Sequence, residues 1–168
     1  MKIRTKRFSR LLAFSLVFAG LCSSAMATAN YDYGADEYVT ISQGLSPDGQ
    51  FAITAHGTGK LGYGDFHLYL TNAMTGQQMG ALMEVDPILD TAAFAFGAIW
   101  SKDSRAVTIV WRWSRQDPLK AITYNVTPTQ ASPRTRKAVD SNEFIKFWRA
   151  NCSSYSATPK RFGSPKKS

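Results

Sequence analysis

Apolar and polar residues alternate along most of the chain between residues 38 and 127, a pattern typical of half-buried β-strands. The clearest example is a pair of runs, FAITAH at 51–56 and DFHLYLT at 65–71, in which every second residue is apolar. The glycine-rich segment 57–64 connects them, so we predict one antiparallel hairpin. Its predicted register sets His56 opposite Asp65, Thr54 opposite His67, Ala55 opposite Phe66, Ile53 opposite Leu68, and Phe51 opposite Leu70.

A turn sequence precedes this hairpin and recurs 55 residues later. Residues 46–49 (SPDG) combine Pro at the second turn position with Asp and Gly, and residues 101–104 (SKDS) repeat the turn with Pro and Gly replaced. The strands predicted at 107–113 and 120–126 form a second hairpin when Trp111 is opposite Ile122 and Ile109 is opposite Tyr124. The apolar positions after the turn differ by one residue between the two copies.

These patterns predict an all-β fold, an antiparallel meander of about seven to eight strands forming a compact sandwich or curled sheet. We predict one C-terminal helix as well, because residues 140–143 (DSNE) resemble a capping box and Phe144, Phe147 and Trp148 follow at helical spacing. The predicted organisation is a signal peptide at 1–27, a β-domain at 30–127 with repeats at 38–83 and 94–127, a linker at 128–139, the helix at 140–152 and a disordered basic tail at 153–168.

The first 27 residues have the three-part pattern of a secretory signal peptide. Basic residues between positions 2 and 10 precede an apolar run at 11–21, and AMA at 25–27 offers a cleavage site. The apolar run is shorter than the roughly 20 residues that cross a bilayer. We therefore expect a bacterial protein that is periplasmic or secreted and has no transmembrane segment after cleavage.

The net charge of +8 is unevenly distributed along the chain. Residues 30–127 contain ten acidic and six basic side chains, whereas residues 128–168 contain two acidic and nine basic ones. A nucleic-acid-binding domain would carry a basic face on its folded part. The charge distribution thus argues against nucleic acid as a partner.

Cysteine usage excludes an internal disulfide framework once the signal peptide is removed. If Cys22 leaves with the signal peptide, Cys152 has no second cysteine in the mature chain; a lipoprotein anchored at Cys22 is a lesser option, because Leu21 fits poorly where a small residue is expected. Cys152 can be buried, free or paired with another chain, and a homo-oligomer stays open.

Two histidines and one carboxylate offer the main candidate for metal chemistry. His56, Asp65 and His67 lie close together in the predicted hairpin register, and this donor set suits zinc or a similar metal. The alternative is two surface histidines on a solvated sheet face. The chain has no G-x-S-x-G, H-E-x-x-H or P-loop motif, so we expect neither an enzyme nor a cofactor. Trp111 and Trp113 are expected on the buried side of their strand.

The repeated turn and its neighbouring strands resemble the WD-repeat-like blades of bacterial periplasmic propellers. The resemblance is carried by residues 45–49 (LSPDG), 68–70 (LYL) with Thr75 and Gly76, and 100–104 (WSKDS). It implies a non-catalytic binding or scaffold protein with a protein partner in the cell envelope. Two copies are fewer than the about four blades that close a propeller, so the sheet must close by itself or assemble with other chains.

The segment 60–69 (KLGYGDFHLY) resembles the loop with which periplasmic inhibitors of invertebrate-type lysozyme plug the enzyme's cleft. This resemblance implies, as an alternative, a lysozyme inhibitor acting through residues 57–64. Under either interpretation the candidate protein-binding residues are Leu61, Gly62, Tyr63 and Gly64, because a long glycine-rich tip exposes backbone and one aromatic ring.

Overall fold

The computed structural model describes residues 30–85, 90–113, 117–138 and 160–163. The predicted signal peptide at 1–27 and the predicted helix at 140–152 lie outside the described residues. The described residues form nine strands and two short 3₁₀ turns, Lys60–Gly62 and Ala93–Ala95. The strands are β1 (Tyr38–Leu45), β2 (Phe51–Thr58), β3 (Gly64–Asn72), β4 (Gln78–Ala81), β5 (Gly97–Trp100), β6 (Ala106–Trp111), β7 (Lys120–Val126), β8 (Ala131–Ala138) and β9 (Arg161–Phe162).

The strands form one mixed sheet that curls into a nearly closed barrel, which confirms the all-β prediction. Strand order is β4-β3-β2-β1-β5-β6-β7-β8, and β9 pairs with β1. All these pairs are antiparallel except β1 and β5, where Ser42 is opposite Gly97. The expectation of a purely antiparallel meander is wrong at this junction. Parallel strands need a long crossover, and residues 82–85 and 90–96 belong to the connection that leads to β5.

The interior of the barrel holds one continuous apolar core to which both halves of the chain contribute. Phe66 of β3 stacks on Phe96 from the crossover, with ring centroids 5.6 Å apart. Ile53, Leu70, Ile109 and other interior side chains are completely buried. Burial of each such side chain stabilises the fold by about 1.5–3 kcal/mol, so the core is the main source of stability.

The two repeated turns have the same hydrogen-bond pattern. In the first, the Ser46 hydroxyl donates to Asp48 Oδ1 over 2.6 Å and accepts from the amide five residues later over 2.9 Å. In the second, the Ser101 hydroxyl donates to Asp103 Oδ1 over 2.6 Å and again accepts from the amide five residues later over 2.9 Å. Serine and aspartate therefore define the turn, and Pro and Gly are dispensable to it.

The parallel junction explains why the apolar positions of the two repeats differ by one residue. A rotation about an axis between β1 and β5 superposes the two hairpins, but it also exchanges the two faces of the sheet. Core-facing residues of β2 stand five, seven and nine positions after Ser46, whereas those of β6 stand six, eight and ten positions after Ser101. The one-residue offset turns both apolar faces towards the same interior.

Both predicted hairpin registers are wrong by two residues. Strand β3 pairs so that His56 is opposite His67, and β7 pairs so that Ile109 is opposite Ile122. Because side chains alternate with a period of two, this shift leaves the apolar side chains of the paired residues on the core-facing side of the sheet. The 3₁₀ turn Lys60–Gly62 and a bulge between His56 and Thr58 set the observed register of the first hairpin.

Three further predictions differ from the structure. Trp113 is exposed because β6 ends at Trp111 and the alternation stops there. The predicted linker 128–139 contains β8, which pairs along the whole of β7. Within the predicted disordered tail 153–168, Arg161 and Phe162 form β9. Backbone hydrogen bonding to an existing strand holds β8 and β9, and it needs no apolar alternation.

Candidate functional site

Three connections, β2–β3, β4–β5 and β6–β7, lie at the same end of the barrel as the N-terminal segment, and we call it the loop end. Strands β1 and β5 are parallel, so both repeated turns lie at the opposite end, which we call the turn end. The loop end is formed by residues 30–37, 58–64, 82–85, 90–96 and 112–113. The predicted binding residues Leu61, Gly62, Tyr63 and Gly64 therefore share this end with the N-terminal segment and the crossover.

The loop 58–64 is fixed to its surroundings through the backbone of Leu61. Its amide donates to Asp32 Oδ1, and its carbonyl accepts a hydrogen bond from Thr91 Oγ1 at 2.5 Å. Thr91 Oγ1 also accepts from the amide of Tyr31 at 3.1 Å. Leu61 holds a φ of 57°, a left-handed conformation that costs a non-glycine residue about 1–2 kcal/mol. These hydrogen bonds offset that strain and give the loop one defined shape.

Gly62 and Tyr33 form the floor beneath the loop. Gly62 is buried with a φ of 68°, and a Cβ there would lie 2.7 Å from the Tyr31 carbonyl oxygen and 2.9 Å from the Tyr33 ring. The Tyr33 hydroxyl donates to the Thr91 carbonyl over 2.6 Å. Burial raises the pKa of Tyr33 well above its ordinary range, so the phenol stays a neutral donor. Glycine is thus the residue that allows the loop to pack on this ring.

Most of the large apolar side chains that are exposed to solvent lie at the loop end. Of the seven exposed large hydrophobic residues in the described ranges, four lie there: Tyr63 (52 % exposed), Met83 (66 %), Phe94 (42 %) and Trp113 (43 %). The others are Leu45, Met74 and Ile99, at the turn end or on the barrel wall. Exposed apolar groups gathered on a rigid support are characteristic of protein interaction sites.

The structure does not assemble His56, Asp65 and His67 into a metal site. The ring of His56 is buried, its Nδ1 lies 2.7 Å from the Glu37 carbonyl oxygen, and it stacks on Tyr38 with centroids 4.5 Å apart. Asp65 is exposed. Within the described ranges, no three His, Cys, Asp or Glu side chains are placed to hold a metal ion.

A buried carboxylate that no sequence pattern singled out lies beside the loop end. Glu37 is fully buried and accepts hydrogen bonds from the Tyr31 hydroxyl at 2.8 Å, the Gly34 amide at 3.1 Å and Arg161 Nη1 at 2.9 Å. Burial, with the hydrogen bond to Glu37 as a second cause, raises the pKa of Tyr31. Glu37 carries no motif, and its partner Arg161 is more than 120 positions away, so local patterns could not reveal the pair.

The described residues include no helix with the length and apolar character needed to cross a bilayer. Comparison of the chain with protein-family models, with curated proteins and with solved structures gave no match in any of the three searches.

Proposed function

We propose that this chain is an exported, non-catalytic binding protein of the bacterial cell envelope that engages a protein partner through its loop end. One observation carries the proposal: the loop 58–64 is hydrogen-bonded on both sides of Leu61, while the neighbouring Tyr63 is half exposed. The polar groups around the loop serve to fix its backbone, and an aromatic ring is presented outward.

The energetics of association support this assignment. A loop that is already ordered loses little conformational freedom on binding, which removes a cost of about 0.5–1.5 kcal/mol for each side chain that would otherwise be immobilised. Tyrosine contributes large contact area with few rotatable bonds and is enriched among residues that dominate binding energy. Tyr63 is therefore the proposed anchor, and Phe94 and Trp113 are further exposed rings at the loop end.

Export and the blade-like repeats are parts of the same proposal. Residues 1–27 supply the sequence pattern of a signal peptide, which favours a periplasmic or secreted location. The equal hydrogen-bond patterns of the Ser46 and Ser101 turns support the interpretation of residues 38–83 and 94–127 as two repeats. A scaffold or binding role is what the resemblance to periplasmic propeller blades implies.

A narrower alternative is inhibition of a lysozyme through residues 57–64. The observation that favours it is the defined conformation of the loop, because a rigid loop can enter an enzyme cleft without ordering itself first. Inhibition of invertebrate-type lysozyme by the purified mature protein tests this alternative directly. A Tyr63→Ala variant that inhibits as well as the wild type would contradict it.

The general proposal is tested by affinity capture from an envelope extract. We expect Tyr63→Ala to weaken capture of the partner by about tenfold or more without lowering the melting temperature. Met74→Ala is the matched control, because Met74 is 82 % exposed but lies at the turn end. The same partners retained by Tyr63→Ala, or lost equally by Met74→Ala, would contradict a site at the loop end.

A further inference from the structure

The first residues of β1 have an edge that β5 does not use. Strand β5 pairs with β1 at Ser42, and β9 occupies the edge before it, with Phe162 opposite Tyr38 and Arg161 opposite Val39. The amide and the hydroxyl of Thr40 both donate to the carbonyl of Lys160, over 2.9 and 2.7 Å. Addition of a strand to an open sheet edge is a common mode of peptide recognition, in which backbone hydrogen bonds supply affinity.

The basic side chains of the added segment are individually recognised. Arg161 Nη1 donates to the buried carboxylate of Glu37 over 2.9 Å and to the Tyr31 hydroxyl over 2.5 Å. Lys160 Nζ donates to the Ala73 carbonyl over 2.6 Å and lies 4.9 Å from the Phe162 ring centroid. Since Glu37 is fully buried, loss of the arginine would leave a buried charge without its cation.

The last two positions of the segment are selected by shape. The Phe162 ring packs on Gly76, where a Cβ would approach it to 3.2 Å. Gly163 has a φ of 77°, and a Cβ on it would lie 1.8 Å from the Asp36 carbonyl oxygen. No other residue fits that position without displacing the backbone. Each of the four residues 160–163 thus meets a contact that depends on its identity.

The contact is small and open on one side. A cleft of about 480 Å³ lies beside the contact and is lined by the segment itself, by Asp36 and Tyr38, and by Thr75 and Gly76 of the turn. The side chain of Arg161 is 41 % exposed. None of residues 160–163 belongs to the apolar core, so their release would leave the core of the barrel intact.

We propose that the β1 edge, with Glu37, Ala73, Gly76 and Asp36, is a strand-binding site specific for the sequence Lys-Arg-Phe-Gly. The chain's own residues 160–163 occupy it in this structure. A partner segment of the same basic and aromatic chemistry, ending in glycine, binds there when it displaces the internal one. This site is separate from the loop 58–64 and does not depend on the function proposed for that loop.

The experiment uses the full-length mature chain and a fluorescein-labelled peptide of residues 158–165 (TPKRFGSP). The internal segment competes at high effective concentration in the wild type, whereas Gly163→Val expels it through the contact with Asp36. We expect fluorescence anisotropy to report binding to the Gly163→Val chain that is about tenfold or more tighter than binding to the wild type. Peptides with Val in place of Gly, or Leu in place of Arg, should bind neither chain.

Equal binding of the peptide to both chains, or equal binding of the altered peptides, would overturn the proposal. Near-ultraviolet circular dichroism checks that the Gly163→Val barrel is folded. Arg161→Ala, which removes the ion pair without a steric clash, supplies a second route: the wild-type peptide should raise the melting temperature of this variant more than that of the wild type. Absence of peptide binding to both folded variants would also overturn the proposal.

Discussion

The backbone amide of Asp48 donates a hydrogen bond to the hydroxyl of Ser104 over 3.2 Å. This bond joins the two repeated turns, because Asp48 belongs to the first and Ser104 to the second. It lies at the turn end of the parallel junction between β1 and β5. The equivalent of Ser104 in the first turn is Gly49, and both have positive φ, 59° and 71°. One of the hydrogen bonds that join the two halves is therefore accepted by a serine in a strained conformation.

Substitutions of Ser104 should separate backbone strain from the hydrogen bond. Ser104→Ala loses the acceptor for Asp48 and keeps the strain, and we expect a loss of about 1–2 kcal/mol in the free energy of unfolding. Ser104→Gly also loses the acceptor but relieves the strain, by about 1 kcal/mol. Urea denaturation at constant slope measures both. A Ser104→Ala variant more stable than the Ser104→Gly variant would contradict this account.

The two turns should also make stability depend on pH in acid. The hydrogen bond from Ser46, and then the amide of Gln50, lower the pKa of Asp48, and Ser101 with the amide of Arg105 does the same for Asp103. A lowered folded pKa contributes stability that is present above the unfolded value of about 3.9 and is lost as pH falls through the folded value.

Asp103→Asn should consequently flatten the acid limb of a plot of urea midpoint against pH. The substitution removes one titrating group and keeps an oxygen at the acceptor position. Because Asp103 is exposed, we expect the substitution to change the slope of the urea midpoint against pH in acid and to leave the midpoint near neutral pH almost unaltered. An unchanged acid limb would show that the turn does not favour the carboxylate.

Two matched threonine pairs allow a test of buried hydrogen bonding. Thr54 and Thr71 are fully buried with hydroxyl oxygens 2.8 Å apart, whereas Thr108 and Thr123, 2.9 Å apart, are half-buried. Thr54→Val should cost about 1–2 kcal/mol, because it leaves a buried hydroxyl without this partner, and the double Thr54→Val/Thr71→Val variant should recover part of that loss. Thr108→Val should cost less. A double-mutant cycle by chemical denaturation measures the coupling, and equal losses at the two sites would contradict it.

Gly62 and Gly49 form a second matched pair. Their φ angles, 68° and 71°, are nearly the same, but a Cβ at Gly49 would meet no atom within 4 Å. Gly49→Ala should cost about 1 kcal/mol for the left-handed conformation alone. Gly62→Ala should cost about 1–3 kcal/mol more, because the methyl group would overlap the Tyr31 carbonyl and the Tyr33 ring. Thermal and urea unfolding compare the variants. Equal losses in the free energy of unfolding would show that Tyr31 and Tyr33 can move to accommodate the added methyl group.

Alternation predicted the strands between residues 38 and 126 and their apolar faces, but not the register in which they pair. Period two assigns Ile53 and Leu70 to the core in any register that differs by an even number of residues. The register itself depends on the conformation of the connection, including the positive φ of Leu61, and composition does not specify it. The parallel junction likewise depends on which strand the crossover places next to β1. In the sequence, it is reflected in the one-residue offset between the apolar positions of the two repeats.

Sequence patterns predicted only part of the candidate site. A long glycine-rich tip with one aromatic residue pointed to Tyr63, which is exposed. The groups that hold the loop, Asp32 and Thr91, are about 30 positions away on either side of Leu61 and act through single hydrogen bonds to its backbone. Such contacts have no periodicity. Strand β8 escaped detection for a related reason, since an outer strand containing Pro133 is held by its neighbour's backbone.

The exchange of faces at the β1·β5 junction restricts how such a barrel can arise. A head-to-tail fusion of two identical copies of either half would point one hydrophobic surface outward, into water. Duplication of a half-sized ancestor would therefore need a compensating shift of a single position before a soluble product formed. A designer who wishes to build this architecture from a repeated module must write two sequences, offset by one, for a single backbone.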